Sequence, residues 1–210
     1  MIDPYSLLKH REGFDKATID DVWINGVYEK VKSPKHGDVV IDVGAHIGIF
    51  TVKASLKVGN TGKVYAFEPA PENYSFLLKN TKNLKNTKIY QKAVWSSEEK
   101  KKLFLYSMHP GGHTLLHTLP PHQIKGEVEV DTTFIDKAVT CKVDFLKIDA
   151  ESSELEILRG TTRILQMYKP FIAVETHTEH LFTEITKFLI QYGYICYPEP
   201  EWAIGVHYYE

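Results

Sequence analysis

From residue 37 onward, short apolar runs rich in β-branched residues alternate with stretches of helical period. Runs of that kind are buried on both faces in a parallel sheet flanked by helices, so the alternation predicts an α/β domain with a mainly parallel sheet. Residues 38–43 (DVVIDV) form the first predicted strand and end directly at a glycine. Residues 63–68 (KVYAFE), 88–95 (KIYQKAVW), 143–149 (VDFLKID) and 171–177 (FIAVETH) follow. Between them, Tyr74, Leu77 and Leu78 recur at helical spacing behind Pro71, a residue favoured in a first turn, and predict a helix over 71–82. A second helix is expected over 153–168, from Leu155, Leu158 and Leu165. A third starts at a Thr178 cap, buries Leu181, Phe182, Ile185, Phe188 and Leu189, and stops at Gly193. The tail from Tyr194 to Tyr208 reads as an antiparallel hairpin around PEPEWAIG.

Two segments fall outside this alternation. Residues 1–36 look partly helical and are expected to form a lid or packing segment on the domain spanning 37–210. Residues 96–140 are too long for a plain connection and rich in Gly, Pro and His, which marks them as a substrate-side insertion. At 210 residues a second full domain is not expected, and a formal net charge of −2 excludes a charge-driven nucleic-acid binder. No apolar stretch approaches the roughly 20 residues of a membrane span, and no signal-peptide pattern is visible, so a cytoplasmic location is expected. Cys141 and Cys196 fit neither a disulfide framework nor a metal motif.

Three strand ends carry the chemistry. Asp42-Val43-Gly44-Ala45-His46-Ile47-Gly48 runs from a strand through a glycine turn into a helix, the context of a nucleotide-type cofactor, with Gly44 and Gly48 expected to let a ligand approach the backbone. Glu68 ends the next strand 24 residues beyond Gly44, the separation at which a carboxylate accepts from ribose hydroxyls. A dinucleotide fingerprint would need glycine at 46 and 49, where the chain has His46 and Ile49. A cofactor with a ribose but no phosphate, S-adenosylmethionine, therefore fits better than NAD. At the later strand ends stand Asp149 and Glu151, then Glu175 and His177, which period 2 places on one side. Methyl transfer to a hydroxyl needs in-line proximity and a proton acceptor, and Asp149 and His177 are the candidates for the latter.

Taken in order, GDVVIDVGAHIGIFT, VYAFEPAPENYSFLLKN, QKAVWS, VDFLKIDAESSELEILRG and PFIAVETH resemble the FkbM-like S-adenosylmethionine-dependent methyltransferases, over about residues 37–178. The resemblance implies a Rossmann-like class I methyltransferase fold with a seven-stranded sheet whose last strand is antiparallel, and O-methylation of a hydroxyl on a small molecule, sugar or glycan. It implies that the turn from Asp42 through Gly44, Ala45, His46, Ile47 and Gly48 holds the methionine part and sugar of S-adenosylmethionine. Glu68 and the adjoining Pro69 would take the ribose, Ala93, Val94 and Ser96 the adenine edge, and Asp149 the vicinity of the methyl group. The chain departs from the family's common GAN and KIDVEG at His46 and Ser152. The rival readings are an NAD(P)-dependent oxidoreductase and a non-catalytic cofactor-binding module. His109, His113, His117 and His122 are close enough in sequence to suggest a metal, but Pro110, Gly111, Gly112, Pro120 and Pro121 break the helix that would align them, so a polar substrate-facing loop is preferred. A divalent ion on Asp149, Glu151, Glu175 and His177 is conceivable, although the resemblance calls for none.

Overall fold

The computed structural model describes residues 2–116, 120–197 and 205–210. The N-terminal segment holds two short helices, α1 (Pro4–Leu7) and α2 (Lys16–Ile19), the second continuing as a π-helical turn over Asp20–Ile24. The alternating part then runs β1 (Val39–Val43), α3 (Ile49–Val58), β2 (Lys63–Phe67), α4 (Pro71–Thr81), β3 (Thr87–Tyr90) and β4 (Ala93–Val94). After β5 (Lys100–Tyr106), β6 (Ile124–Thr133) and α5 (Ile135–Ala138) come β7 (Phe145–Ile148), α6 (Glu154–Arg159), α7 (Thr162–Tyr168), β8 (Phe171–Thr176), α8 (Glu179–Ile190) and β9 (Gly205–Tyr209). The main sheet has the order β3-β2-β1-β7-β8-β9, parallel throughout except for the antiparallel β9. Chain order reverses between β1 and β7, and the crevice beyond the carboxyl ends of strands at such a reversal is where open α/β sheets bind ligands.

The continuous apolar runs are explained by two cores. Ile41, Val43, Leu146, Ile148, Ile172 and Val174 face α6, α7 and α8 on one side of the sheet. Val40, Val64, Phe145, Phe171 and Ala173 face α3 on the other, where Leu8, Ile19, Val22 and Tyr28 of the N-terminal segment join them. Residues 2–36 thus form a packing layer on the sheet.

The structure corrects four expectations. Among the described residues the main sheet has six strands rather than seven. The expected first arm of the terminal hairpin contributes a single antiparallel bridge, Cys196 to Tyr209, and residues 198–204 of its turn lie outside the described set. The run 88–95 is two strands: β3 completes the main sheet, while β4 crosses to pair with β6 in a second sheet of order β4-β6-β5. The helix expected over 153–168 breaks at Gly160, where a Cβ would lie 2.5 Å from the Trp95 carbonyl oxygen. Much of the 96–140 insertion is an antiparallel ribbon, β5 against β6. Its lysine-rich start is the ribbon's solvated face, where Lys100 and Lys102 pair across the strands with Glu129 and Glu127 at 2.6 Å each, while Leu103 is buried. Cys141 and Cys196 are not joined in a disulfide.

Candidate active site

A cavity of about 510 Å³ opens at the reversal point between β1 and β7. Of the sequence-predicted residues, Gly44, His46, Glu68, Pro69, Ala93, Val94, Asp149, Glu151 and Glu175 line it. His109 and His113 of the ribbon's connection line it as well, whereas His117 lies outside the described residues.

The turn after β1 is closed by its own backbone. The N–H groups of Gly44 and Ala45 donate to the Phe67 carbonyl at 3.1 and 3.0 Å, and that of Gly48 to the Ala45 carbonyl at 2.8 Å. The His46 N–H donates to Glu68 Oε2 at 2.8 Å. The other Glu68 oxygen accepts from the Ala70 N–H at 2.9 Å. Glu68 is almost fully buried, and burial pushes its pKa up to about 7. A carboxylate has about four lone-pair sites, so these bonds leave acceptor capacity for a ligand in the cavity.

Several predicted residues serve the scaffold and do not line the cavity. Asp42 shares a strand face with Val40, toward α3. There it accepts from Thr51 Oγ1 at 2.5 Å and ion-pairs with the buried Lys147 at 3.1 Å. Lys147 also donates to the Val43 and Gly44 carbonyls at 3.1 and 2.7 Å, so this pair pins the turn from beneath. Ala45 packs on Ala66 and Leu77, and Ile47 on the α3 core. Gly48 takes left-handed backbone, φ 92°, and a Cβ there would also lie 2.8 Å from Leu77 Cδ1. Ser96 turns away to donate to Glu156 at 2.7 Å.

The far end of the cavity is acidic. Tyr28, from the N-terminal segment and unmarked in the sequence, places its hydroxyl 2.8 Å from Asp149 Oδ2 and 2.7 Å from Glu175 Oε2. One hydroxyl proton cannot serve two carboxylates. Burial and the neighbouring Asp149 raise the Glu175 pKa. Glu151 is pushed up to about 8 by burial, Asp149 and Glu175. Glu154 closes the intervening loop by accepting from the Ala150 and Ser152 N–H groups at 3.0 and 3.2 Å. His177 lies just past the end of β8, where strand alternation no longer applies, so it does not line the cavity beside Glu175. Its ring comes within 3.5 Å of Glu151 instead. Asp149, Glu151 and His177 each offer a donor atom within 4.8 Å of the others. Such a set can hold a divalent cation, and the same negative charge can face a cationic cofactor. Two of the departures from the family motif take left-handed backbone, His46 at φ 53° and Ser152 at φ 78°.

The buried acids predict a pH dependence. A carboxyl whose native pKa lies above its unfolded value binds more protons when folded; the stability this confers is full below about pH 4.5 and is lost as pH rises through the native pKa. For Glu68 and Glu154, both raised to about 7, and Glu151, raised to about 8, the window is pH 5 to 8.5. The ligand-free protein should lose stability across it, a fall in Tm on the order of 10 °C. A thermal melt that is flat or rising over this range would show that these carboxyls are not held as described.

The profile of the Methyltransferase FkbM domain matches residues 42–196. Methyltransferase 1 of Beauveria bassiana is 26% identical over 162 residues, 67% of this chain and 64% of that protein. The hexuronic acid methyltransferase AglP of Haloferax volcanii is 27% identical over 190 residues, 84% of this chain and 74% of that protein. In structure, the methyltransferase FkbM from Methylobacillus flagellatus KT superposes with a TM-score of 0.62 at 17% identity, covering 99% of this chain and 50% of that one. The chain therefore spans about two-thirds of the length of the first of these relatives and half of the matched structure. No helix among the described residues is long and apolar enough to cross a membrane. The family profile covers well over half of the sequence, and its fold is the fold found here: the chain belongs to the FkbM methyltransferase family.

Proposed function

We propose that this chain is an S-adenosylmethionine-dependent O-methyltransferase whose acceptor is a hydroxyl on a sugar, glycan or small molecule. The observation that carries the cofactor is the state of the turn. The N–H groups of Gly44, Ala45, His46 and Gly48 are all engaged by protein acceptors, so they offer no cradle for a pyrophosphate. A pyrophosphate would also face Glu68, Asp149, Glu151 and Glu175 across the cavity. A ligand with a ribose, no phosphate and a sulfonium cation suits both features, which argues against NAD(P). In this reading Glu68 takes the ribose hydroxyls, and Pro69, Ala93 and Val94 flank the adenine. The acidic end lies beside the sulfonium. Asp149 takes the acceptor's proton as its oxygen attacks the methyl carbon in line with the departing sulfur. A sugar acceptor is supported by the hexuronic acid relative.

Calorimetric titration with S-adenosylhomocysteine, with NAD in parallel, tests the reading. S-adenosylhomocysteine should bind and NAD should not. In Glu68→Ala the loss of charge-assisted acceptors for the ribose should weaken S-adenosylhomocysteine binding by about 10–100-fold. Unchanged affinity would remove Glu68 from the ribose; binding of NAD alone would overturn the cofactor.

A further inference from the structure

We infer that Arg11, in the N-terminal segment, is a positioning residue for the cofactor: it sets the orientation of the Glu68 carboxylate by bracing the ring of His46. The inference rests on the function proposed above, and its test separates the two.

His46 occupies the turn in a left-handed conformation, φ 53°, which a side chain other than glycine or asparagine adopts at a cost. That conformation aims its N–H at Glu68 Oε2, 2.8 Å away. The conformation of residue 46 and the placement of Glu68 are therefore one problem. The ring of His46 is the handle by which the protein solves it. Its Nε2 lies 2.9 Å from Arg11 Nη2 and 3.5 Å from Asp15 Oδ1. Arginine has donors only, so Nε2 accepts, and the neutral ring carries its proton on Nδ1. Burial, with Arg11, His109 and Lys147 opposing Asp15, lowers the His46 pKa to about 3, in keeping with that form.

Arg11 is itself fixed on all sides. It grips Asp15 through two nitrogens, Nη2 to Oδ1 at 2.9 Å and Nε to Oδ2 at 3.1 Å, and Asp15 is fully buried. The Arg11 backbone N–H also donates to Asp15 Oδ2 at 2.7 Å. Its guanidinium stands 5.2 Å over the ring of Phe76 on α4 and reaches Glu72 at 3.3 Å. A paired arginine with so little freedom acts as a strut between the N-terminal segment, the turn after β1 and the first turn of α4. Glu68 sits between the last two. Neither Arg11 nor Asp15 lines the cavity, so a role of Arg11 in cofactor binding is indirect, and His46 is the neighbour of Arg11 that bonds Glu68.

The test is a double-mutant cycle read by calorimetry with S-adenosylhomocysteine on the full chain. Arg11→Ala should weaken binding about tenfold, the scale of one charge-assisted contact. In a His46→Asn background, where the braced ring is absent, the same Arg11→Ala substitution should change affinity less than twofold. Equal effects in the two backgrounds would overturn the inference, since Arg11 would then act by holding its own segment and not through the ring. No effect of Arg11→Ala in the wild-type background would overturn it as well. Removing Arg11 leaves Asp15 buried without its partner. Should Arg11→Ala lose its cooperative melt, the cycle is run with Arg11→Ala/Asp15→Ala, which removes both charges, under the same criteria. Failure of the unaltered protein to bind S-adenosylhomocysteine counts against the proposed function, whereas normal binding with no coupling counts against Arg11.

Discussion

Asp149→Asn should keep the fold and the cofactor while reducing methyl transfer by about 10²–10⁴-fold, the usual contribution of a positioned general base. The substitution is close to isosteric, and the amide oxygen can still accept from Tyr28, which lies 2.8 Å from Asp149 in the structure. What it removes is the ability to take a proton. Glu151 and Glu175 cannot replace it easily: burial, which the substitution leaves in place, raises both, and Glu175 is committed to Tyr28. The measurement pairs S-adenosylhomocysteine calorimetry with a single-turnover assay on an acceptor drawn from a panel of uronic acids, neutral sugars and phenols. Affinity within threefold of wild type and a lost rate is the expected pattern. A full rate would move the base elsewhere, and a lost affinity with it would make Asp149 a cofactor residue instead.

How much of this site was legible in the sequence depended on whether a residue's role is local. β1, β2, β7 and β8 were found within two residues because strands buried on both faces carry an unbroken apolar signal. Glu68 and the Asp149, Glu151 and Glu175 group were legible for a related reason. Each stands at or just past a strand's carboxyl end, and in a parallel sheet those ends converge whatever the rest of the chain does. Asp42 does not reach the cavity because its parity in the strand, which its place in the motif alone does not reveal, turns it toward α3 and Lys147. Lys147 went unnoticed for the complementary reason. A lysine inside an apolar run gives no sign of the carboxylate that neutralises it more than a hundred residues away. Tyr28 and Arg11 were invisible on the same ground: their partners Asp149, Glu175 and His46 are brought to them only by the packing of the N-terminal segment on the sheet. Splitting the 88–95 run would have required knowing that β4 leaves the main sheet for β6, a pairing that no local pattern encodes.

Gly44→Ala should be the most damaging single-methyl change in the chain. A glycine turn of this kind suggests close approach of a ligand at Gly44; in the structure it is the protein's own backbone that approaches. A Cβ at Gly44 would lie 1.7 Å from the Asp149 carbonyl oxygen and 2.9 Å from its carbon, at a φ of 72° that alanine also disfavours. Relief by a side-chain shift is closed off, because the obstacle is main chain. The ends of β1 and β7 cannot part freely either, since the Asp149 N–H donates to the Val43 carbonyl at 3.2 Å and Lys147 to the Gly44 carbonyl at 2.7 Å. A loss above about 3 kcal/mol follows, a fall in Tm of roughly 6–12 °C for a chain of this size. Gly126→Ala, on β6 with nothing within 4 Å of the added carbon, is the control and should stay within about 0.5 kcal/mol of wild type. The two explanations of Gly44 diverge in the ligand-free protein. If the glycine served only the cofactor, the melt without ligand would be unchanged and only S-adenosylhomocysteine affinity would fall. If the backbone of β7 is the obstacle, the melt falls before any ligand is added, and the affinity falls with it because Asp149 is displaced in the same movement.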